Sequence, residues 1–144
     1  MSLRLEDQLC FPLYAAARAV QQRYRPFLSA LGLTYPQYLV LLVLWEEDGL
    51  SVRALGERLL LDSGTLTPLL KRLAAAGLIT RRRDDADGRV VRIRLTPAGA
   101  ELRSRAEAIP HQLLACIGPP AAGLDLPALH RSLHQLLRAL QETP

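Results

Sequence analysis

Apolar residues recur along the first stretch of the chain at Leu5, Leu9, Leu13, Ala16, Val20, Tyr24, Phe27, Leu28 and Leu31, a period near 3.6 that predicts one long helix with an apolar stripe. Proline is tolerated in a first turn and not in a helix interior, so the regular helix must start close to Pro12. Thr34-Tyr35-Pro36-Gln37 has the form of a capping box with proline in the first turn, opening a buried helix that runs to about Glu47 and ends at Asp48-Gly49. Ser51 caps a short helix through about Leu60. After Leu61-Asp62-Ser63-Gly64 another helix runs to Ala76 and is stopped by Gly77. Two short helices with a tight joint predict a helix-turn-helix. The start of the second stays open: a cap at Ser63 would set Pro68 against an early helical hydrogen bond, whereas a cap at Thr65 would place it in the first turn.

Leu78-Ile79-Thr80-Arg81 and Val90-Val91-Arg92-Ile93-Arg94-Leu95 have strand character, the second alternating apolar and basic residues, and Asp84-Asp85-Ala86-Asp87-Gly88 between them reads as a turn. A basic hairpin after a helix-turn-helix is a winged helix. Thr96-Pro97 then caps a helix that Pro110 kinks before Cys116, Gly118-Pro119-Pro120 breaks the chain, and Asp125 caps a last helix with the stripe Leu126, Leu129, Leu133, Leu136, Leu137 and Leu140. The expected fold is mainly α with a small β-hairpin, a winged helix-turn-helix carrying long N- and C-terminal helices. Those two terminal stripes have no burial site on a small winged helix. Dimerisation through them is the economical solution, and a homodimer suits a two-fold symmetric, pseudo-palindromic site on double-stranded DNA.

Composition agrees with a helical core: of 144 residues 49% are hydrophobic but only 5% aromatic, with Leu and Ala dominant. The longest uninterrupted apolar run, Tyr38 to Trp45, is far below the roughly 20 residues that span a bilayer, and the acidic N-terminus lacks a signal-peptide pattern, so no membrane association and a cytoplasmic location are expected. The net charge of +4 is unevenly placed. Residues 1–52 hold 4 basic and 5 acidic groups, residues 106–144 hold 2 and 3, and residues 53–105 hold 12 and 6, so the whole excess falls on the winged-helix segment. That is the footprint of a nucleic-acid contact surface. All basic residues except Lys71 are arginine, which suits phosphate and guanine but also follows from codon bias. Cys10 and Cys116 are too few for a disulfide scaffold and lack zinc-site spacing. His130 and His134 lie one helical turn apart, without the intervening glutamate of a zinc-protease motif or an evident third ligand. No metal, cofactor or catalytic constellation is expected.

The motif Asp87-Gly88-Arg89 followed by Val90-Val91-Arg92-Ile93-Arg94-Leu95-Thr96-Pro97-Ala98-Gly99 resembles the wing of the MarR superfamily of bacterial transcription regulators. Three further stretches are similar to its organic-hydroperoxide-sensing OhrR branch: Leu5 to Ala16, Leu33 to Tyr38, and Asp62 to Leu73. The match runs nearly to Cys116. It implies a single domain over residues 1–144, with 1–48 and 97–144 serving mainly dimerisation and sensing and 51–96 forming the winged helix. By this resemblance Cys10 is the peroxide-sensing cysteine, Tyr24 and Tyr35 supply hydroxyls that hydrogen-bond its sulfur from the partner subunit, and Tyr14 lies beside that site. Cys116 falls close to the resolving cysteine of the two-cysteine subclass. Ser63, Thr65, Thr67, Lys71 and Arg72 match the major-groove helix, Arg89 the wing-tip arginine, and Asp62 and Arg81 supporting positions.

The chemistry fits these residue types. A thiolate attacks the distal oxygen of a hydroperoxide and becomes a sulfenic acid, and phenolic donors stabilise the negative sulfur. A free cysteine is otherwise most often a small core hydrophobe, and a tyrosine on a helical stripe is most often packing with a satisfied hydroxyl. The resemblance implies a repressor that senses organic hydroperoxide as its inducer and then leaves its operator. Two rivals remain: a MarR-type regulator released by a small phenolic ligand with Cys10 incidental, and a thiol peroxidase that turns over at Cys10.

Overall fold

Leu5–Asp7 forms a single 3-10 turn, and the regular helix α1 spans Cys10–Ser29. The N-terminal stripe is therefore not one uninterrupted helix from Leu5. The reason is Pro12, which occupies the first turn of α1, where its missing donor costs nothing. The computed structural model describes residues 2–118 and 123–142. Helix α2 spans Tyr35–Glu46 and opens on the expected capping box: Gln37 N donates to Thr34 Oγ1 at 3.4 Å and Thr34 N donates to Gln37 Oε1 at 2.9 Å. Five of its residues are buried, among them Tyr38, Leu41 and Leu44.

Helix α3, Val52–Leu59, is capped by Ser51, whose hydroxyl accepts from Ala54 N at 3.1 Å. The turn to α4 is tight. Leu61 N donates to Gly56 O at 3.0 Å, and a Cβ on Gly56 would stand 2.7 Å from Leu61 O, so the turn needs glycine at that position. Leu60 makes the turn with φ 55, in the left-handed region that costs a non-glycine residue about 1 kcal/mol. Helix α4 spans Ser63–Ala75, and its cap is neither Ser63 nor Thr65 but Asp62, whose carboxylate accepts from Thr65 N at 2.7 Å. Pro68 consequently lies inside the helix, correcting the sequence reading. The Asp62 cap and the first helical bond, Leu66 N to Asp62 O at 3.0 Å, fix the start, and Pro68 sits on the exposed face.

Strands β1 (Ile79–Arg83) and β2 (Val91–Leu95) pair antiparallel, with Ile79 opposite Leu95 and Arg83 opposite Val91. A bridge from Ser51 to Arg92 and the bond Ile93 N to Leu50 O, 2.9 Å, tie the hairpin to the start of α3. Helix α5, Pro97–Ala106, is capped by Thr96. It ends before Pro110, and α6, Ile109–Ile117, begins afresh with that proline in its first turn, so Pro110 marks a break between helices and not a kink within one. The core joins α1, α2, α3, α4 and the hairpin through Leu28, Leu41, Leu44, Leu55, Leu66, Leu70, Ile79 and Ile93. Trp45 Nε1 donates to Gly99 O at 2.9 Å and fastens α2 to the start of α5.

Met1–Pro110 makes one compact unit and His111–Pro144 a second. In the second, α7 spans Leu126–Glu142 and is capped as expected by Asp125, which accepts from Ala128 N at 2.9 Å. The predicted break at Gly118-Pro119-Pro120 lies, beyond Gly118, outside the described residues. Among the described residues no helix is long and apolar enough to cross a membrane.

Candidate nucleic-acid interface and cysteine site

Helix α4 is amphipathic in the sense needed for a contact helix. Leu66, Leu69, Leu70 and Leu73 are buried on one side, while Ser63, Thr65, Lys71 and Arg72 are exposed and Thr67 is half-buried on the other. The Asp62 carboxylate is held below the usual carboxylate range, first by the Thr65 backbone N–H and then by the Thr65 side chain, so it stays ionised at the positive end of the helix. The N-terminus of α4, helix α3 and the hairpin enclose a groove of about 990 Å³ whose lining includes Asp62, Ser63, Thr67, Arg81 and Arg89. The structure thus brings Ser63 and Thr67 of the predicted contact helix together with the hairpin arginines Arg81 and Arg89, while Thr65, Lys71 and Arg72 do not line this groove. Arg81 is half-buried there, and its Nε has no hydrogen-bond partner.

The wing tip is organised by two aspartates. Asp87 Oδ1 accepts from Arg89 N at 3.1 Å and Arg89 Nε at 3.2 Å, so the residues of the D-x-R motif hold each other while the arginine side chain stays 93% exposed. Asp84 accepts from Arg92 Nε at 2.6 Å and from Ala86 N at 2.8 Å, and the Arg92 side chain is the main reason its carboxyl titrates below the usual range. Asp48, which the sequence reading took only as a helix stop, accepts from Leu95 N at 2.9 Å and anchors the hairpin base.

The predicted sensing residues divide into two places. Cys10 is the first residue of α1 and is exposed, as is Tyr14 one turn later, whose ring carries the Arg18 guanidinium 5.4 Å from its centroid. Tyr24 and Tyr35 come together with ring centroids 5.0 Å apart, and Tyr38 completes a cluster at 5.8 and 6.3 Å. Tyr38, which the sequence reading did not single out, is almost fully buried and edge-on to Trp45. Burial pushes all three phenols above their ordinary range, so they remain protonated donors at neutral pH. Cys10 and Tyr24 lie on the same unbroken stretch of helix, about 21 Å apart along the axis. Within one chain they cannot meet.

Cys116, near the end of α6, is exposed and belongs to the second unit. His134 and His130 have ring nitrogens 3.0 Å apart, but no group of three or more metal-ligating side chains is assembled among the described residues.

The MarR family model matches residues 33–91, from just before α2 to the first residue of the second strand. An organic hydroperoxide resistance transcriptional regulator of Bacillus subtilis is 49% identical over 140 residues, covering 97% of this chain and 94% of its own. The chain belongs to the MarR family. Among solved MarR-type structures, reduced AbfR bound to DNA superimposes with a TM-score of 0.79 at 38% identity, covering 97% of this chain and 96% of that one. AbfR is a protein of Staphylococcus epidermidis. Its disulfide-containing form gives a TM-score of 0.67 at 39% identity, covering 97% and 94%. The mainly helical winged-helix fold expected from the sequence is thus that of MarR regulators, and the family's matched segment overlaps the basic part of the chain over residues 53–91. The relatives named here are regulators, and DNA is bound by the first of the two AbfR structures.

Proposed function

We propose that this MarR-family protein is a homodimeric transcriptional repressor that binds pseudo-palindromic operator DNA and releases it when an organic hydroperoxide oxidises Cys10. The observation that carries the reading is the separation of Cys10 from the Tyr24–Tyr35–Tyr38 cluster along a single helix, in a chain 49% identical to an organic hydroperoxide resistance regulator. A second copy is what can deliver Cys10 to tyrosine hydroxyls. Exposed apolar residues support a second copy: Leu9 is 71% and Phe11 43% exposed at the start of α1, and Leu126, Leu129, Leu133, Leu137 and Leu140 of α7 are exposed. An apolar surface of this kind marks an interface.

In this scheme the Cys10 thiolate attacks the distal oxygen of the hydroperoxide, the O–O bond breaks, and the alkoxide leaves and takes a proton to become the alcohol. The phenols of Tyr24 and Tyr35 donate to the thiolate, and Tyr14, on the same face as Cys10, borders the pocket. Ser63, Thr65, Thr67, Lys71 and Arg72 address the major groove, Arg89 the minor groove, and Asp62 and Arg81 shape the joint between helix and wing. The oxidised sulfur then condenses with Cys116 of the second copy, losing water to form a disulfide, a step for which the disulfide form of AbfR is the supporting precedent. The names of its relatives favour regulation over peroxidase turnover.

A duplex selected by the protein from a random library is titrated with wild type and Cys10→Ser, with and without cumene hydroperoxide. Wild type is expected to be released by the oxidant while Cys10→Ser stays bound. Equal release of both would remove Cys10 from the mechanism and favour a regulator answering to a small phenolic ligand.

A further inference from the structure

Helix α7 carries two of the three histidines of the chain, His130 and His134, one turn apart on one side of the helix. Spacing alone does not say whether their rings meet. The structure places His130 Nε2 and His134 Nε2 3.0 Å apart, with ring centroids 4.3 Å apart and the ring planes inclined at 64°. The nitrogens are closer than the centroids, so the rings lean together at their Nε2 ends. An ion bound by histidine sits about 2.0–2.1 Å from each nitrogen, so two nitrogens sharing it stand about 2.9 Å apart at a right angle and about 3.3 Å apart at the tetrahedral angle. The observed separation falls between those two values. Both residues are exposed, so the pair is not held by packing, and a single neutral hydrogen bond between side chains open to water contributes little.

We propose that His130 and His134 form a two-nitrogen clamp for a divalent ion of the zinc, nickel or copper class, with water completing the coordination. Neutral imidazole suits these ions, whereas magnesium and calcium take oxygen ligands. No group of three or more ligating side chains is assembled among the described residues, so the site is open and its ion exchangeable. Leu126 and Leu133 flank His130 at helical spacing and Leu137 follows His134 by one turn, which sets the clamp on the rim of the exposed apolar stripe of α7. Arg131 and Arg138 are the charged neighbours of His134 at the same spacing, and their repulsion, screened by solvent, limits the affinity. Two of the four ligands of a structural zinc site supply about half of its binding free energy, which puts the Kd on the order of 10 μM. The clamp stands apart from the DNA and peroxide chemistry and uses none of the residues assigned to either.

The test is calorimetric titration of the full chain with Zn²⁺, in a Cys10→Ser/Cys116→Ser parent that removes the thiols as competing ligands. His130→Gln and His134→Gln should each weaken binding about 10-fold or more, and the double variant should be no weaker than either single one, because a chelate is lost when one arm is lost. His111→Gln removes the remaining histidine and should bind as the parent does. A register variant, His134→Gln/Gln135→His, keeps the number of histidines but turns one of them away from His130, and it should bind as weakly as His134→Gln. Parental affinity in either single variant overturns the proposal, and so does parental affinity in the register variant. Losses that add up from the single variants to the double one also overturn it, by showing two independent imidazoles. Absence of Zn²⁺ uptake by the parent overturns it outright.

Discussion

Gly99 closes the Leu-Thr-x-x-Gly end of the wing motif, and the structure gives it a steric reason that can be measured. It is buried at the start of α5, and a Cβ built on it would lie 2.1 Å from Leu78 O and 3.3 Å from the Leu95 side chain. Carbon and carbonyl oxygen pack at roughly 3.3 Å, so Gly99→Ala must drive α5 and the hairpin base apart by about 1.2 Å. Two bonds lie in the path of that movement: Thr96 N to Leu78 O at 3.1 Å, and Trp45 Nε1 to Gly99 O at 2.9 Å. Overpacking of this kind costs about 1–3 kcal/mol, and a weakened hydrogen bond adds about 1 kcal/mol, for a total of about 2–4 kcal/mol. At roughly 3 °C per kcal/mol for a chain of this length, the melting temperature should fall by about 6–12 °C. Thermal melts followed by circular dichroism, with urea unfolding alongside, would measure it. The control is Gly64→Ala in the first turn of α4, where the added methyl meets only the Asp62 carboxylate at 3.4 Å and should stabilise by about 0.5 kcal/mol. Wild-type stability in Gly99→Ala would refute the steric reasoning, as would equal effects at the two positions.

Tyr24→Phe and Tyr35→Phe keep the ring packing and remove one donor each, so both should slow oxidation of Cys10 by cumene hydroperoxide about 10-fold without lowering the melting temperature; stopped-flow thiol loss at unchanged rate would leave the cluster as packing. Asp84 titrates in the folded protein below its ordinary 3.8 because of Arg92, so its contribution to stability is complete above that value and is lost as pH falls through the lowered one. Melting temperatures taken downward from about pH 6 should accordingly drop less steeply in Arg92→Leu than in wild type, and parallel profiles would contradict the assignment. Cys116→Ser should abolish a dithiothreitol-reversible dimer band on non-reducing gels after one equivalent of hydroperoxide; a band that persists would exclude Cys116 as the resolving residue.

Most of the secondary structure was legible because its signals act over three or four residues. Thr34 with Gln37, Ser51, Thr96 and Asp125 each cap the helix they announce, since a side-chain oxygen needs only the next few backbone N–H groups as partners. The basic hairpin was visible for the same reason, as was the excess of charge around it. The start of α4 was misjudged because two local rules compete there. Asp62 supplies the stronger cap, and Pro68 is tolerated inside the helix at the loss of one bond.

Tertiary structure alone decided which chemistry-bearing residues stand together. Tyr38 joins Tyr24 and Tyr35 because α1 and α2 pack side by side, and no periodicity in either helix encodes that meeting. Asp48 reaches Leu95 across 47 residues, about a third of the chain, and Gly99 is required by the Leu78 carbonyl just before β1. The two faces of the hairpin, with Arg81 turned inward and Arg82 and Arg94 outward, follow from a register that pairs Thr80 with Arg94 and depends on where Ile79 and Ile93 enter the core. Local pattern sets each element through short-range hydrogen bonding, whereas close approach between elements depends on packing among residues far apart in sequence, and that is where the groove, the tyrosine cluster and the two faces of the hairpin arise.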